Sequence, residues 1–195
     1  ITTKSNRVVE DIDLLAPLAV LDLTAVAVSV TSLDPRTARL LEPRAPTPAR
    51  RLEAVQKLSE AGIYVHVNIA PVVPGITDHE IEAIVAAAAE RGASSISFIP
   101  MRLPHEVAPL FEQWLDNHYP DRKAKVMSIV RQMRGGRRND PAFHSRMRGQ
   151  GPWADLIRSR LIIASRKAGL KKGKLALRTD LFRRPQIRGS QLELF

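Results

Sequence analysis

Strand-like and helix-like patterns alternate over the first hundred residues, and this alternation restricts the possible folds more than any other feature. Short β-branched or apolar runs at residues 1–3, 25–30, 64–70 and 95–100 predict four strands. The later strands start about 38 and 31 residues apart with a helical pattern between them, which calls for right-handed crossovers and a parallel sheet. Such repeated units form either a barrel or an open doubly wound sheet.

The connections between these strands contain residues that are typical of helix starts and turns. Thr47 followed by Pro48 predicts the first turn of one helix. Thr77 and Glu80 match the capping-box pattern at the start of another. Asp34–Pro35 is typical of a turn. The sequence therefore predicts a helix before each of the third and fourth strands.

The alternation stops after Pro104. Helical patterns follow at residues 107–119, from Asp121 to the glycine pair at 135–136, and at about 152–168. We therefore expect an α/β region at residues 1–103, a helical C-terminal extension at 104–169, and a basic, loosely ordered tail at 170–195.

The composition excludes several classes of protein. No cysteine occurs among the 195 residues, so disulfides and thiolate metal sites are excluded. No two of the five histidines have H-x-x-x-H spacing, and no metal site is predicted. A Walker loop, a GxGxxG fingerprint and a Ser–His–Asp signature are absent. No apolar run approaches the roughly 20 residues that span a bilayer, and we expect a cytoplasmic protein without membrane contact.

Positive charge is concentrated in the last third of the chain. Residues 1–121 hold 10 Lys or Arg against 16 Asp or Glu, whereas residues 122–195 hold 20 against 4. Clustered arginines gain free energy by releasing the counterions of phosphate backbones, so nucleic acid is a possible partner. The alternatives are a solvated tail or a face that pairs with acidic groups of the first region. The candidate phosphate contacts are Arg131, Arg134, Arg137, Arg138, Arg146 and Arg148.

Polar residues follow three of the predicted strands, where ligands of parallel α/β folds collect. Lys4 could bind a carboxylate or a phosphate, act as a Schiff-base lysine, or be a surface lysine. Ser29 and Thr31 could bond a ribose or cap the turn after their strand. The loop at 71–75 has two prolines and a glycine, which suits close approach of a ligand to the backbone, or is an ordinary connection. His66, within a strand, is expected to be a packed core or lumen side chain.

The order of these motifs resembles the spore photoproduct lyase-like branch of the radical S-adenosylmethionine enzymes. A strand ending in Thr3–Lys4 precedes a helix rich in Asp and Leu at residues 11–15. A strand ending in Ser then leads to Glu42–Pro43. Arg50–Arg51 and the Ile-Ala-Pro run at 69–71 complete the series, and the Arg-rich segments at 131–136 and 146–149 resemble a bacterial subgroup.

The resemblance implies a partial (β/α) barrel of the TIM type and two cofactors, S-adenosylmethionine and a four-iron, four-sulfur cluster. Lys4 would meet the carboxylate of S-adenosylmethionine and Ser29 its ribose, with Thr31 beside them. Asn68, Ala70 and Pro71 would line the adenine side. We expect Lys4, Ser29 and Pro71 to lie in one cleft.

The cluster motif CxxxCxxC of that family does not occur in the chain. We therefore expect the chain to be a C-terminal fragment that is inactive alone. Its parent would cleave S-adenosylmethionine reductively to a 5′-deoxyadenosyl radical that abstracts hydrogen from a substrate. Two other hypotheses remain open: a Schiff-base lyase that uses Lys4, and a non-catalytic nucleic-acid-binding protein. Neither the substrate nor the oligomeric state is indicated by the sequence.

Overall fold

Four parallel strands form one sheet in the order in which they occur along the chain. The computed structural model describes residues 1–143, 145–170 and 176–184. The strands are β1 (Thr2–Thr3), β2 (Val26–Ser29), β3 (Val65–Val72) and β4 (Ser95–Pro100), ordered β1-β2-β3-β4. Every adjacent pair is parallel, which confirms the predicted α/β class and the parallel sheet. A sequential order is compatible with a partial barrel, and closure into a barrel remains a prediction.

Helices connect the strands and then continue alone. A 3₁₀ helix at Asn6–Asp11 leads into α1. A second 3₁₀ turn at Asp78–Glu80 precedes α4. The α-helices are α1 (Ile12–Val20), α2 (Pro35–Leu41), α3 (Pro48–Glu60), α4 (Ile81–Glu90), α5 (Val107–His118), α6 (Pro120–Gln132) and α7 (Gly151–Lys167). The predicted helices after Pro104 are therefore confirmed within one or two residues at each end.

Two helix starts differ from the sequence prediction. Asp34–Pro35 opens α2 rather than a simple turn, because the Asp34 carboxylate accepts from the backbone N–H groups of Arg36 and Thr37. The prediction of a capping box formed by Thr77 and Glu80 is wrong. The Thr77 hydroxyl accepts from the Val73 N–H at 2.9 Å, and the Glu80 carboxylate bonds the loop after β2 instead of the backbone of its own helix.

One face of the sheet packs against the helices that follow β2 and β3. Val65, Val67 and Ile69 alternate along β3 and are fully buried in a core that also holds residues of α3 and α4. Burying each such side chain stabilises the fold by about 1.5–3 kcal/mol. Helix α7 contributes Ile157 and Leu161 to the same core. The last helix therefore covers the α/β region directly.

A second core lies at the carboxyl ends of β3 and β4. Val73, Met101 and Leu103 pack there against buried residues of α5 and α6, including Phe111 and Val130. The helical region thus caps the edge of the sheet at which ligands collect in parallel folds. The domain boundary at 103 remains a prediction, although residues from both sides of it share both cores.

Polar contacts hold α7 on the first region. Arg160 donates to both carboxylate oxygens of Glu82 at 2.7 and 2.6 Å, and the Trp153 indole N–H donates to Asp78 at 3.1 Å. The Arg178 N–H donates to the Asp22 carbonyl at 2.9 Å. Residues 171–175 and 185–195 of the predicted basic tail lie outside the described residues. No helix in the described part of the chain combines the length and apolar character needed to cross a bilayer.

Candidate functional site at the carboxyl edge of the sheet

Strand register places Ser29 beside Asn68 on the face of the sheet opposite the helix-packed core. Ser29 pairs with Asn68, and Ala27 pairs with His66. The intervening Val28 is fully buried on the other face, because successive strand residues point to opposite sides. Two of the predicted cofactor residues are therefore neighbours at the ends of adjacent strands.

The Ala70 carbonyl joins the ends of β1 and β2 to that of β3. It accepts from the Lys4 ammonium at 3.1 Å and from the Thr31 hydroxyl at 3.1 Å. Thr31 is only 1% exposed, so its hydroxyl ties strand ends together. Pro71 follows directly in β3. Lys4, Thr31, Ala70 and Pro71 therefore meet at one edge, next to the Ser29–Asn68 pair.

An ion-pair cluster supports this edge from the helix side. The Glu42 carboxylate, just past the end of α2, lies 2.5 Å from the Lys4 ammonium and 2.6 Å from the Arg51 guanidinium. Arg51 is 2% exposed and also donates to the carbonyls of Ser29, at 3.1 Å, and Pro46, at 2.9 Å. Glu42–Pro43 and Arg50–Arg51 are part of the sequence motif, but no role was predicted for them. Of these residues, Glu42 and Arg51 position Lys4 and the end of β2.

The electrostatics of the cluster leave one positive charge unbalanced, since two cations share a single carboxylate. Burial raises the pKa of Glu42, but the hydrogen bond from Lys4 and the charges of Lys4 and Arg51 outweigh burial and hold that pKa below its ordinary value of 4.5. The Lys4 side chain is 44% exposed, so its ammonium remains accessible to an anion. The Lys4 ammonium bonds the Glu42 carboxylate and the Ala70 carbonyl and is still partly exposed, so the geometry favours anion recognition by Lys4.

The Glu80 carboxylate, which the sequence predicted to be part of a capping box, holds the loop after β2 in place. Glu80 is 8% exposed and accepts from the Ser32 hydroxyl at 2.6 Å and from the N–H groups of Leu33 at 2.6 Å and Asp34 at 3.2 Å. Charge-assisted bonds of this kind are strong. The loop that carries Thr31 is thereby held against the start of α4.

A chain of polar side chains continues along the same face of the sheet. The ring nitrogens of His66 contact the hydroxyls of Ser95 and Ser97 at 2.7 Å each, and Ser97 donates to the Asn68 side-chain oxygen at 2.7 Å. His66 is therefore a packed side chain, as predicted. Among the described residues no group of three or more His, Cys, Asp or Glu side chains is arranged to hold a metal ion.

The six arginines proposed for phosphate contact do not form one surface. Arg131, Arg137 and Arg148 are exposed, and Arg138 pairs with Glu112 at 3.2 Å. The Arg146 guanidinium lies over the Phe143 ring, 4.8 Å from its centroid. Arg134 is 4% exposed, and three backbone carbonyls accept its hydrogen bonds. The Arg134 guanidinium is therefore not exposed at the surface, and the nucleic-acid contacts of the six arginines remain a prediction.

Comparison with known proteins agrees with this geometry. Residues 1–88, somewhat less than half of the chain, match the family model described as the Radical SAM superfamily. The segment runs from β1 into α4 and contains Lys4, Ser29, Glu42, Arg51 and Asn68. The resemblance seen in the sequence is therefore confirmed at the level of the superfamily.

Three curated relatives carry the description "uncharacterized protein". A protein of Mycobacterium tuberculosis and one of Mycobacterium bovis are each 29% identical over 133 residues, which is 67% of this chain and 39% of those proteins. A protein of Acidianus two-tailed virus is 40% identical over 74 residues, which is 38% of this chain and 24% of the viral protein. The chain thus spans well under half the length of the relatives it matches.

Proposed function

We propose that the carboxyl edge of this sheet binds S-adenosylmethionine. We further propose that the whole protein is a radical S-adenosylmethionine enzyme of the spore photoproduct lyase-like branch, which cleaves this cofactor to a 5′-deoxyadenosyl radical and abstracts hydrogen from its substrate. The observation that carries the proposal is the meeting of Lys4 and Thr31 on the Ala70 carbonyl, beside the Ser29–Asn68 pair, within the matched domain.

The chemistry of the edge suits the two ends of this cofactor. The half-exposed Lys4 ammonium, in a cluster with one excess positive charge, would bind the carboxylate of the methionine part. The amide of Asn68 and the hydroxyl of Ser29, which is 5% exposed, would bond the ribose. The backbone at Ala70 and Pro71 would lie along the adenine.

The four-iron, four-sulfur cluster of the superfamily does not fit the residues of this chain. Such a cluster is held by cysteine thiolates, and none of the 195 residues is cysteine. We propose that its ligands are supplied from outside these residues. The chain's own contribution would be to bind and orient the nucleoside and the amino-acid part of the cofactor.

Binding measurements on the 195-residue chain test the cofactor site without the cluster. Isothermal titration calorimetry would compare S-adenosylmethionine with 5′-methylthioadenosine, which has the nucleoside but no carboxylate. Replacing Lys4 by Met should weaken S-adenosylmethionine binding at least about tenfold, the value of one charge-assisted hydrogen bond, and leave methylthioadenosine binding unchanged.

Lys57→Met is the matched control. Lys57 is also an exposed lysine ion-paired to a glutamate, with its ammonium 2.7 Å from Glu53, but it lies on α3 away from the strand ends. It should leave both affinities unchanged. Equal weakening of both ligands by Lys4→Met, or no binding of either to the unaltered chain, would disprove the assignment.

A further inference from the structure

A second buried guanidinium lies at the carboxyl end of β4. Arg134 follows α6 and donates to the Met101 carbonyl at 3.0 Å and the Pro100 carbonyl at 3.4 Å. Its other terminal nitrogen donates to the Arg146 carbonyl at 2.8 Å. Arg134 therefore links the end of β4, the end of α6 and the loop before α7.

The charge of this guanidinium is not balanced by an ion pair. Within the described part of the chain no carboxylate lies at ion-pair distance from Arg102, Arg134 or Arg146, and the Nε atoms of all three are buried without a hydrogen-bond partner. Burial lowers the pKa of Arg134, the nearby charge of Arg102 lowers it further, and only Asp140 acts in the opposite direction. A buried charge without a partner is costly unless a ligand completes the site.

A cavity of about 290 Å³ opens beside Arg134. Arg137 lines it as a second cation, and Ser145 and Gln150 add a hydroxyl and an amide. Asp140 also lines the cavity, with one oxygen accepting from the Ala142 N–H at 2.9 Å and the other from the Ser145 hydroxyl at 2.5 Å. Two guanidiniums, those of Arg134 and Arg137, and one carboxylate, that of Asp140, thus line the cavity, and Arg102 adds a further positive charge near Arg134.

We propose that this cavity is a binding site for the terminal phosphate group of a small molecule. A phosphate dianion would balance the excess positive charge and could accept from the exposed guanidinium of Arg137 and the side-chain amide of Gln150. The volume lies at the lower limit of ligand pockets, which suits one phosphate group of a larger molecule.

The small size of the cationic site favours a terminal phosphate over a nucleic-acid backbone. An internal phosphodiester carries a nucleoside on both sides, whereas the lining here encloses a volume of about 290 Å³ beside the buried Arg134. Exposed arginines outside the cavity, such as Arg138 and Arg148, would dominate contact with a nucleic-acid backbone. The two kinds of ligand can therefore be separated by the arginines on which they depend.

Inorganic phosphate is the probe for the experiment. Calorimetric titration of the 195-residue chain with phosphate, at constant ionic strength set by sodium chloride, should show saturable binding. Arg137→Gln should weaken it about tenfold, because one charge-assisted contact is lost. Asp140→Asn should strengthen it about threefold to tenfold, because the opposing carboxylate charge is removed. A variant that merely damages the fold cannot produce that gain.

The neighbouring Arg138→Gln is the control, since Arg138 is also exposed but pairs with Glu112. It should leave the phosphate affinity unchanged. Binding that is no tighter in phosphate than in chloride of equal ionic strength would overturn the proposal. Equal loss in the Arg137 and Arg138 variants, with displacement of phosphate by a single-stranded DNA oligonucleotide, would overturn it in favour of a nucleic-acid surface. The proposal does not depend on the S-adenosylmethionine site, which is tested by other variants and another ligand.

Discussion

Two buried arginines support the carboxyl edge of the sheet in opposite ways. Arg51 donates to the carbonyl of Ser29 at the end of β2, and Arg134 donates to the carbonyl of Pro100 at the end of β4. Arg51 has the Glu42 carboxylate at 2.6 Å, whereas Arg134 has no carboxylate at ion-pair distance among the described residues. One guanidinium is paired with a carboxylate within the protein, and the other bonds only backbone carbonyls and has the positive charge of Arg102 nearby.

The difference in charge pairing indicates a structural role for the cluster at the end of β2 and ligand binding near the end of β4. The cluster around Glu42 fixes backbone and one lysine in place, so its charge mainly serves the structure and leaves a single accessible ammonium. The region around Arg134 contains arginines that have no carboxylate at ion-pair distance among the described residues, and a cavity lies next to Arg134. Charge that a fold leaves unpaired at a buried position is a stronger indication of a ligand than charge paired inside the protein.

The largest expected effect is the loss of stability when the ion pair between Arg51 and Glu42 is removed. Arg51→Met leaves the Glu42 carboxylate partly buried with only Lys4 as partner, and we expect the free energy of unfolding to fall by about 3–5 kcal/mol. Urea denaturation followed by circular dichroism measures it. Arg50→Met, at the exposed neighbouring position, should change the value by less than about 0.5 kcal/mol. A loss no larger than that of the control would show that the pair contributes nothing.

A smaller loss of stability is expected when Arg134, which has no carboxylate partner among the described residues, is replaced. Arg134→Met removes the donors of three backbone carbonyls but leaves no buried carboxylate behind, so the expected loss is about 1–2 kcal/mol. The same denaturation experiment applies, with Arg137→Met as the exposed neighbour. If Arg134→Met were as destabilising as Arg51→Met, the contrast between the two arginines would be wrong.

The smallest expected effect is a pH dependence of the free energy of unfolding, which should come from the ion pair between Glu42 and Arg51. The pKa of Glu42 is held below its ordinary value of 4.5, so its carboxylate stabilises the folded state above that pH and this contribution is lost as the pH falls through the folded-state pKa. A protonated Glu42 no longer penalises the absence of Arg51. The stability gap between the unaltered chain and Arg51→Met should therefore narrow as the pH falls below about 4.5. A constant gap would contradict the role given to Glu42.

Local patterns were sufficient to predict most of the secondary structure. The four strands and the helices after Pro104 were predicted because period-2 and period-3.6 patterns, with proline and glycine at their ends, are local properties. Helix α2 was missed because seven residues are too few for a clear period, although Asp34 and Pro35 carry its start signal. The capping box at Thr77 failed because Glu80 bonds Ser32, which is 48 residues away in the chain.

The candidate site also contains some residues that local patterns place and others that only tertiary packing places. The meeting of Lys4, Ser29 and Pro71 could be predicted, since residues at the carboxyl ends of parallel strands meet at one edge whatever the details of packing. Asn68 and Ala70 were expected there only from the family resemblance. Glu42 and Arg51 had no predicted role, because their distances to Lys4 and Ser29 depend on how α2 and α3 lie on the sheet. A short-range pattern contains no such information.

The sequence by itself determined the alternation, the parallel sheet, the superfamily of residues 1–88 and the excess of arginine in the last third of the chain. Only the tertiary structure decided which arginines are buried and which of those have a carboxylate beside them. Arg50, Arg51, Arg134 and Arg137 carry the same side chain, yet two are buried and two are exposed. The reason is physical: the environment of a charge depends on long-range packing, and packing brings together residues that are far apart in the chain.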